Sequence, residues 1–238
     1  MDSLGDDHDD HLEAYQPEIE VRRDGPAIGL IAGMLVAGWI ALPRLPARVA
    51  IHWNAADHAN GWGSPLVAAF VPPLLALVVW TALLLLPMVD PRRHRYAKFA
   101  PTYRALRLVV VAMLAVIDGL TLIHGLGGHV DIPVDTALLL GASFIVIGNL
   151  LPRVQPTWFV GIRTPWTLSD DAVWRQTHRV AGRLFMAAAL LPLAGLAAPP
   201  PVLVGLVVAA AVLPSVAAAL YSYVVFSRLH GNQGPCRR

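Results

Sequence analysis

Cysteine is nearly absent: Cys236 stands alone among 238 residues, which excludes an intrachain disulfide and any cysteine-cluster metal site. Charge is scarce as well. Asp, Glu, Lys and Arg make up 14% of the chain, against roughly 25% in soluble domains. No P-loop, His-Glu-x-x-His, Gly-x-Ser-x-Gly or Gly-rich dinucleotide turn occurs, so the chain reads as a non-enzyme with no cofactor. The first residues, MDSLGDDHDDHLEAYQPEIEV, are acidic and polar where a cleaved signal peptide would be basic and then apolar. The first hydrophobic helix is therefore expected to act as a signal anchor. What the chain has in abundance is apolar surface, 56% of residues.

That surface falls into six stretches, about 26–44, 65–88, 106–126, 134–152, 180–198 and 201–226, each ended by Pro, Gly or charge. A span needs about 20 apolar residues. The fifth is cut short by Pro199, Pro200 and Pro201. The reading is an all-α, polytopic transmembrane helix bundle of six spans. Lys and Arg are retained in cytoplasmic connections, and placing both termini in the cytoplasm puts every one of the 18 Lys and Arg residues there except Arg44 and Arg48. The net charge of +2 and pI near 9 thus belong to membrane flanks facing lipid headgroups, and no direct nucleic-acid partner is expected.

The organisation that follows is an acidic, disordered cytoplasmic leader over 1–25 and a four-helix membrane region over 26–152 with an extracytoplasmic loop at 45–64. A cytoplasmic loop at 153–179, a two-helix membrane region at 180–228 and a cytoplasmic tail at 229–238 complete it. The leader's Asp6-Asp7-His8-Asp9-Asp10-His11 is a solvated acidic run before it is a metal ligand set.

In the outer loop, Arg48–Trp53 fits a short strand and Asn54–Gly63 a turn-rich segment. The loop contains Pro46, His52, Trp53, Asn54, Gly61 and Trp62. The two indoles suit a membrane interface, and the spacing of His52, Asp57 and His58 does not specify zinc. In the inner loop, Pro152 and Pro156 stop the fourth helix, Gly161 permits a tight bend, and Pro165 biases Thr164 to an extended backbone. Ser169 is the expected N-cap of a helix entering span five, with Asp170 and Asp171 in its first turn. On that helix Arg175, Arg179 and Arg183 form one stripe, facing either anionic headgroups or a protein. Within the spans, Asp118 and His124 lie in the third, and Asp135 and Asn149 at the two ends of the fourth. A carboxylate at mid-membrane costs about 2.5–3.5 kcal/mol on insertion scales, so Asp118 is expected to face the bundle interior.

Two of these segments carry a resemblance. The outer loop's Leu-Pro, Pro46, Ile-His52-Trp53-Asn54-Ala and Gly61-Trp62-Gly, with the inner loop's Gly148-Asn149, Leu151-Pro152, Gly161-Ile162-Arg163-Thr164-Pro165-Trp166-Thr167-Leu168, Val173-Trp174 and Arg179, resemble the SdpI family of bacteriocin-immunity and signalling proteins. Thr157 stands where several relatives have Asn. The resemblance covers nearly everything after residue 25. It implies a multi-pass protein of the bacterial cytoplasmic (inner) membrane, and a partner outside in the form of a secreted antimicrobial peptide toxin. It further implies a cytoplasmic transcriptional repressor as a partner inside. On the resemblance, Pro46, His52, Trp53, Asn54, Gly61 and Trp62 would face the ligand in the outer loop, and Asn149, Pro152, Gly161, Arg163, Thr164, Pro165, Trp166, Thr167, Trp174 and Arg179 would form the inner signature loop. The competing function is a small-molecule or proton-linked transporter or channel using Asp118.

Overall fold

A computed structural model describes residues 15–231. The acidic run 6–11 and the tail from residue 232, with Cys236, lie outside the described residues. In chain order the elements are α1 (Pro17–Arg23), α2 (Gly25–Ala41), β1 (Val49–Trp53), β2 (Ala59–Gly63), α3 (Pro65–Val89), α4 (His94–Lys98), α5 (Ala100–Gly125) and α6 (Ile132–Leu150). Then come α7 (Pro165–Ser169), α8 (Asp171–Ala188), α9 (Leu190–Ala194) and α10 (Pro200–His230). Short 3-10 turns extend α2 through Arg44 and α6 through Arg153.

Among the described residues, five helical segments are long and apolar enough to cross a bilayer: Gly25–Arg44, Pro65–Val89, Ala100–Gly125, Ile132–Arg153 and Pro200–His230, with mean hydropathy of 1.9 to 2.5. Mid-helix side chains such as Val78, Leu213 and Leu220 face outward, each at least 60% exposed. In water such a surface would be untenable; against acyl chains it costs nothing. The molecule is a multi-spanning membrane helix bundle. Its termini signals are local: Ser64 accepts the Val67 N–H (3.3 Å) at the start of α3, and Asp131 the Val134 N–H (3.1 Å) at the start of α6.

The predicted fifth stretch, 180–198, does not form one apolar helix. One polar face of α8 carries exposed Arg175, Arg179 and Arg183. Pro192 has no N–H for the Ala188 carbonyl, and the helix breaks at Ala189 before the single turn of α9. The segment nevertheless packs along the bundle. Gly148 of α6 and Gly182 of α8 meet backbone to backbone, a Cβ on Gly148 falling 2.6 Å from the Gly182 carbonyl oxygen, and Gly195 lies against Leu203 and Leu206 of α10. The leader is also shorter than predicted. Its last part is α1, with Glu20 4% and Asp24 2% exposed.

Two three-helix units result. In the first, α2, α3 and α5 share a core of Ile31, Met34, Ala76, Trp80, Leu84 and Val111, continued by Ala41, Ala69 and Leu122. Pro73 leaves the Ala69 carbonyl without an intrahelical donor, and Gly38 of α2, lacking a side chain, comes directly against that oxygen. In the second unit α6, α8 and α10 close over small residues, Ala181, Ala189, Ala210 and Ala218.

Candidate functional site

The connections gather at two ends of the bundle, and the residues singled out by sequence divide between them. At one end, β1 and β2 pair antiparallel, Val49 opposite Gly63 and Ala50 opposite Trp62, with irregular register at His52. The first strand was legible; the second replaces the predicted turn-rich segment. Gly61 sits opposite His52, and a Cβ there would be 2.8 Å from the His52 Cβ, so only glycine lets the strands approach. The turn is set by Asn54, whose Oδ1 accepts the Ala56 and His58 N–H groups (3.0 Å each), leaving Asp57 at φ +61°. Val49 and Ala50 are buried against the bundle, whereas His52, Asn54 and Trp62 are exposed. Trp53 is half-buried, its ring 5.3 Å edge-on to His124 of α5. The Arg48 guanidinium lies 5.8 Å over the Trp62 ring. Pro46 is exposed on the approach to β1. The structure thus brings His52, Trp53, Asn54, Gly61, Trp62 and His124 together. Among the described residues no group of three or more His, Cys, Asp or Glu side chains can hold a metal ion.

The other end is basic and densely bonded. Arg107, fully buried, donates from Nε and Nη2 to Asp24 (2.9 and 3.1 Å), from Nη2 to Glu20 (3.0 Å) and from Nη1 to the Tyr15 hydroxyl (3.1 Å). Arg104 adds two bonds to Glu20 (3.1 and 3.2 Å), and the Trp80 indole N–H donates to Asp24 (2.9 Å). Two carboxylates and two guanidiniums therefore neutralise one another and pin α1 to α5. A buried charge is tolerated only when paired and bonded in this way. Burial alone would raise the Glu20 carboxyl, but the bonds from Arg104 and Arg107 outweigh it and hold it below the usual range. Burial pushes the Tyr15 hydroxyl up to about 12, keeping it a neutral donor to the Leu84 carbonyl.

The signature loop rests on this base through a shared aromatic cluster of Tyr96, Phe99, Tyr103, Val154 and Trp174, with Tyr15 packed against it. Asp90, 2% exposed, accepts from the Arg92 and Trp158 N–H groups (2.7 and 3.0 Å) and from the Tyr96 hydroxyl (2.9 Å), joining the α3–α4 connection to the loop. Arg92 donates to the Leu168 carbonyl (2.7 Å), and Arg95 reaches both oxygens of Asp171 (2.9 Å each).

Within the loop, Gly161 has φ +107°, and a Cβ would lie 2.5 Å from His178 Nε2 and 2.9 Å from the Trp174 ring. The position admits only glycine. The Trp174 indole donates to the Val154 carbonyl (2.8 Å) and stacks on His178 at 4.0 Å. His178 Nε2 accepts the Ile162 N–H (2.9 Å), so the ring hydrogen sits on Nδ1 and is donated to the Trp174 carbonyl (2.9 Å). Burial holds the imidazole down to about 4, so it is neutral at physiological pH. Thr164 and Thr167 form a reciprocal capping box at α7, with Pro165 at its first turn, and Thr164 Oγ1 also meets Ser222 of α10 at 2.9 Å. The N-cap of α8 is Asp170, bonded to the Ala172 and Val173 N–H groups, and not the predicted Ser169, which ends α7. The reason is chemical: a carboxylate one residue later reaches two amides at once.

The framework is buried; what it displays is not. Arg163 is exposed and donates to the Trp158 carbonyl (2.9 Å), beside Trp158 at 46% and Phe159 at 39% exposure. Trp166 packs at 5.1 Å on Tyr223. Arg175, Arg179 and Arg183 line the outer side of α8, and Asn149 and Pro152 are exposed where α6 ends. Asp118 is apart from both ends. It is 1% exposed on α5, and its Oδ1 has no hydrogen-bond partner among the described residues.

The SdpI/YfhL protein family matches residues 153–222, the signature loop with α8 to α10, and a domain of unknown function, DUF1648, matches residues 29–77, from α2 through the hairpin into α3. Over 142 residues the chain is 27% identical to the immunity protein SdpI of Bacillus subtilis (strain 168), covering 60% of this chain and 66% of that relative.

Over these segments the chain is similar to SdpI-family proteins.

The matched stretch is just under two thirds of the curated relative's length. No solved structure matches the chain. The chain is a multi-spanning membrane protein, and its similarity to the SdpI/YfhL family and to a Bacillus immunity protein is consistent with the bacterial inner membrane. Sequence reasoning missed Tyr15, Glu20, Asp24, Asp90, Arg107, His178 and the exposed Trp158–Phe159 pair. A usable signal was present: Glu20 and Asp24 are one turn apart, as are Arg104 and Arg107, with opposite sign beside adjacent spans.

Proposed function

We propose that this SdpI-like chain is an immunity protein that protects a bacterial cell from a secreted membrane-active peptide. The observation that carries the reading is the coincidence between the SdpI/YfhL match at 153–222 and the loop built on Gly161, Trp174 and His178, which holds Arg163, Trp158 and Phe159 outward on a buried frame. On this reading the second half of α8 with α9, within the stretch 180–198, makes a broken fifth crossing, for six in all, and both termini are cytoplasmic. That arrangement keeps Lys and Arg inside apart from Arg44 and Arg48. The hairpin, with His52, Trp53, Asn54 and Trp62, then meets the peptide outside. The Arg163 surface meets a cytoplasmic protein, a transcriptional repressor in the signalling form of the function. Peptide binding would favour one arrangement of the bundle over another, which is the requirement for a signal to cross.

The test is survival of a toxin-sensitive strain challenged with SDP-like peptides, with and without the chain at verified membrane levels. Protection is the expected result; no protection against a panel of such peptides contradicts the reading. A transporter working through Asp118 is the second reading, favoured by that buried carboxyl with an unpartnered oxygen. Asp118→Asn separates them: a proton-linked transporter loses transport, and an immunity protein keeps protection.

A further inference from the structure

Between α2 and α5, towards their hairpin ends, lies a cavity of about 370 Å³ walled by Ala37, Ile40, Gly119, Ile123 and Leu126, with Arg44 at its mouth. The two helices run parallel here. At 1.5 Å per residue, Ala37 to Arg44 and Gly119 to Leu126 each extend about 10 Å from the bundle's middle to its end. Every wall residue is apolar or a glycine, so Arg44 supplies the site's one charge. It is exposed, and no carboxylate among the described residues pairs with it. At the opposite end Arg95, Arg104 and Arg107 each have an acidic partner. An apolar slot along the membrane normal with a free guanidinium at headgroup depth has the polarity of an amphiphile, tail inward and anion outward.

We propose that this groove holds one acyl chain of an anionic phospholipid, with the headgroup phosphate bonded to Arg44. A zwitterionic headgroup carries its own cation, which competes with the guanidinium for the phosphate; an anionic one does not. Charge complementarity therefore selects the anionic lipid, and the apolar walls select an acyl chain. The assignment is independent of the immunity reading.

The groove can be filled cleanly. A Cβ on Gly119 would meet nothing within 4 Å, and Gly119 lines the slot, so Gly119→Leu is the substitution chosen to fill it. Full-length chain purified in detergent is titrated with phosphatidylglycerol or phosphatidylcholine of identical acyl chains, and bound lipid is counted by native mass spectrometry. The wild type is expected to retain one phosphatidylglycerol in preference to phosphatidylcholine by about fivefold, the effect of one arginine near a charged surface. Gly119→Leu loses the retained lipid of either kind. Arg44→Gln keeps an acyl chain and loses the preference. Val78→Leu, on the lipid-facing side of α3, behaves as wild type. Circular dichroism confirms that the Gly119→Leu chain is folded; should it not be, Ala37→Leu fills the same slot from the other wall. Retention unchanged in the filled variants, equal retention of the two lipids by wild type, preference unchanged in Arg44→Gln, or displacement by palmitate in preference to phosphatidylglycerol would each overturn the proposal.

Discussion

The two ends of this bundle hold their shape by different means. The hairpin end is a two-stranded ladder with one side-chain-bonded turn, its exposed residues meeting few partners beyond backbone. The basic end ties five chain segments together through buried charges, a buried histidine and a cluster of aromatic rings. A short hairpin is marginal alone and borrows stability from Val49 and Ala50 packed on the bundle. The basic end is a small polar core in its own right. The comparison teaches where rigidity has been built in: beneath the loop that the SdpI/YfhL match covers, so that Arg163, Trp158 and Phe159 stand at fixed positions.

The largest break comes from Arg107. Arg107→Ala leaves Glu20 and Asp24 buried with fewer partners and is expected to cost about 3–5 kcal/mol, read as a fall in thermal midpoint and as protease sensitivity at Tyr15–Asp24. A smaller change there would mean that water replaces the guanidinium.

His178 comes next. Its folded-state value, about 4, lies below the ordinary 6.5, so its contribution to stability is complete above 6.5 and is lost as pH falls towards 4, roughly 3 kcal/mol in all. The sign follows from chemistry: protonation turns the acceptor of the Ile162 N–H into a second donor. Unfolding followed from pH 7 to 4 should show this slope in wild type and a shallower one in His178→Phe.

Gly161→Ala forces a Cβ onto a left-handed backbone and against His178 and Trp174, for about 1–3 kcal/mol, with increased hydrogen exchange at Ile162 as the local mark. Least costly is Asn54→Ala, which removes the side-chain bonds of the hairpin turn and is expected to change stability by about 1 kcal/mol or less. If it destabilised the chain as much as Arg107→Ala, the contrast between the ends would fail.

How much of this was legible beforehand follows the physics of each signal. Spans one to four and six were readable because apolar length is local information. The fifth was read as apolar from Val180 onward, yet Arg183 and Pro192 interrupt it, and what holds α8 in place is long-range: Gly182 against Gly148 and Thr164 against Ser222. The loop's backbone punctuation at Pro152, Pro156, Gly161 and Pro165 was legible for the same reason as the spans. Its partners were not, because His178 with Ile162 and Asp90 with Trp158 are pairings across folded space that leave no periodic trace. The leader shows the limit most clearly. Glu20 and Asp24 are hydrophilic in sequence and were assigned to solvent with their acidic neighbours; only the arrival of Arg104 and Arg107 from another helix makes their burial tolerable.

The central claim is that the frame at the basic end stabilises while the surface it presents acts. Arg163→Ala tests it most directly, since Arg163 is exposed and its one bond, to the Trp158 carbonyl, is at the surface. The measurement is survival under peptide challenge together with thermal midpoint, at matched membrane levels. The account predicts loss of protection with stability changed by no more than about 0.5 kcal/mol. Full protection by the variant in a strain that the wild type protects would contradict it.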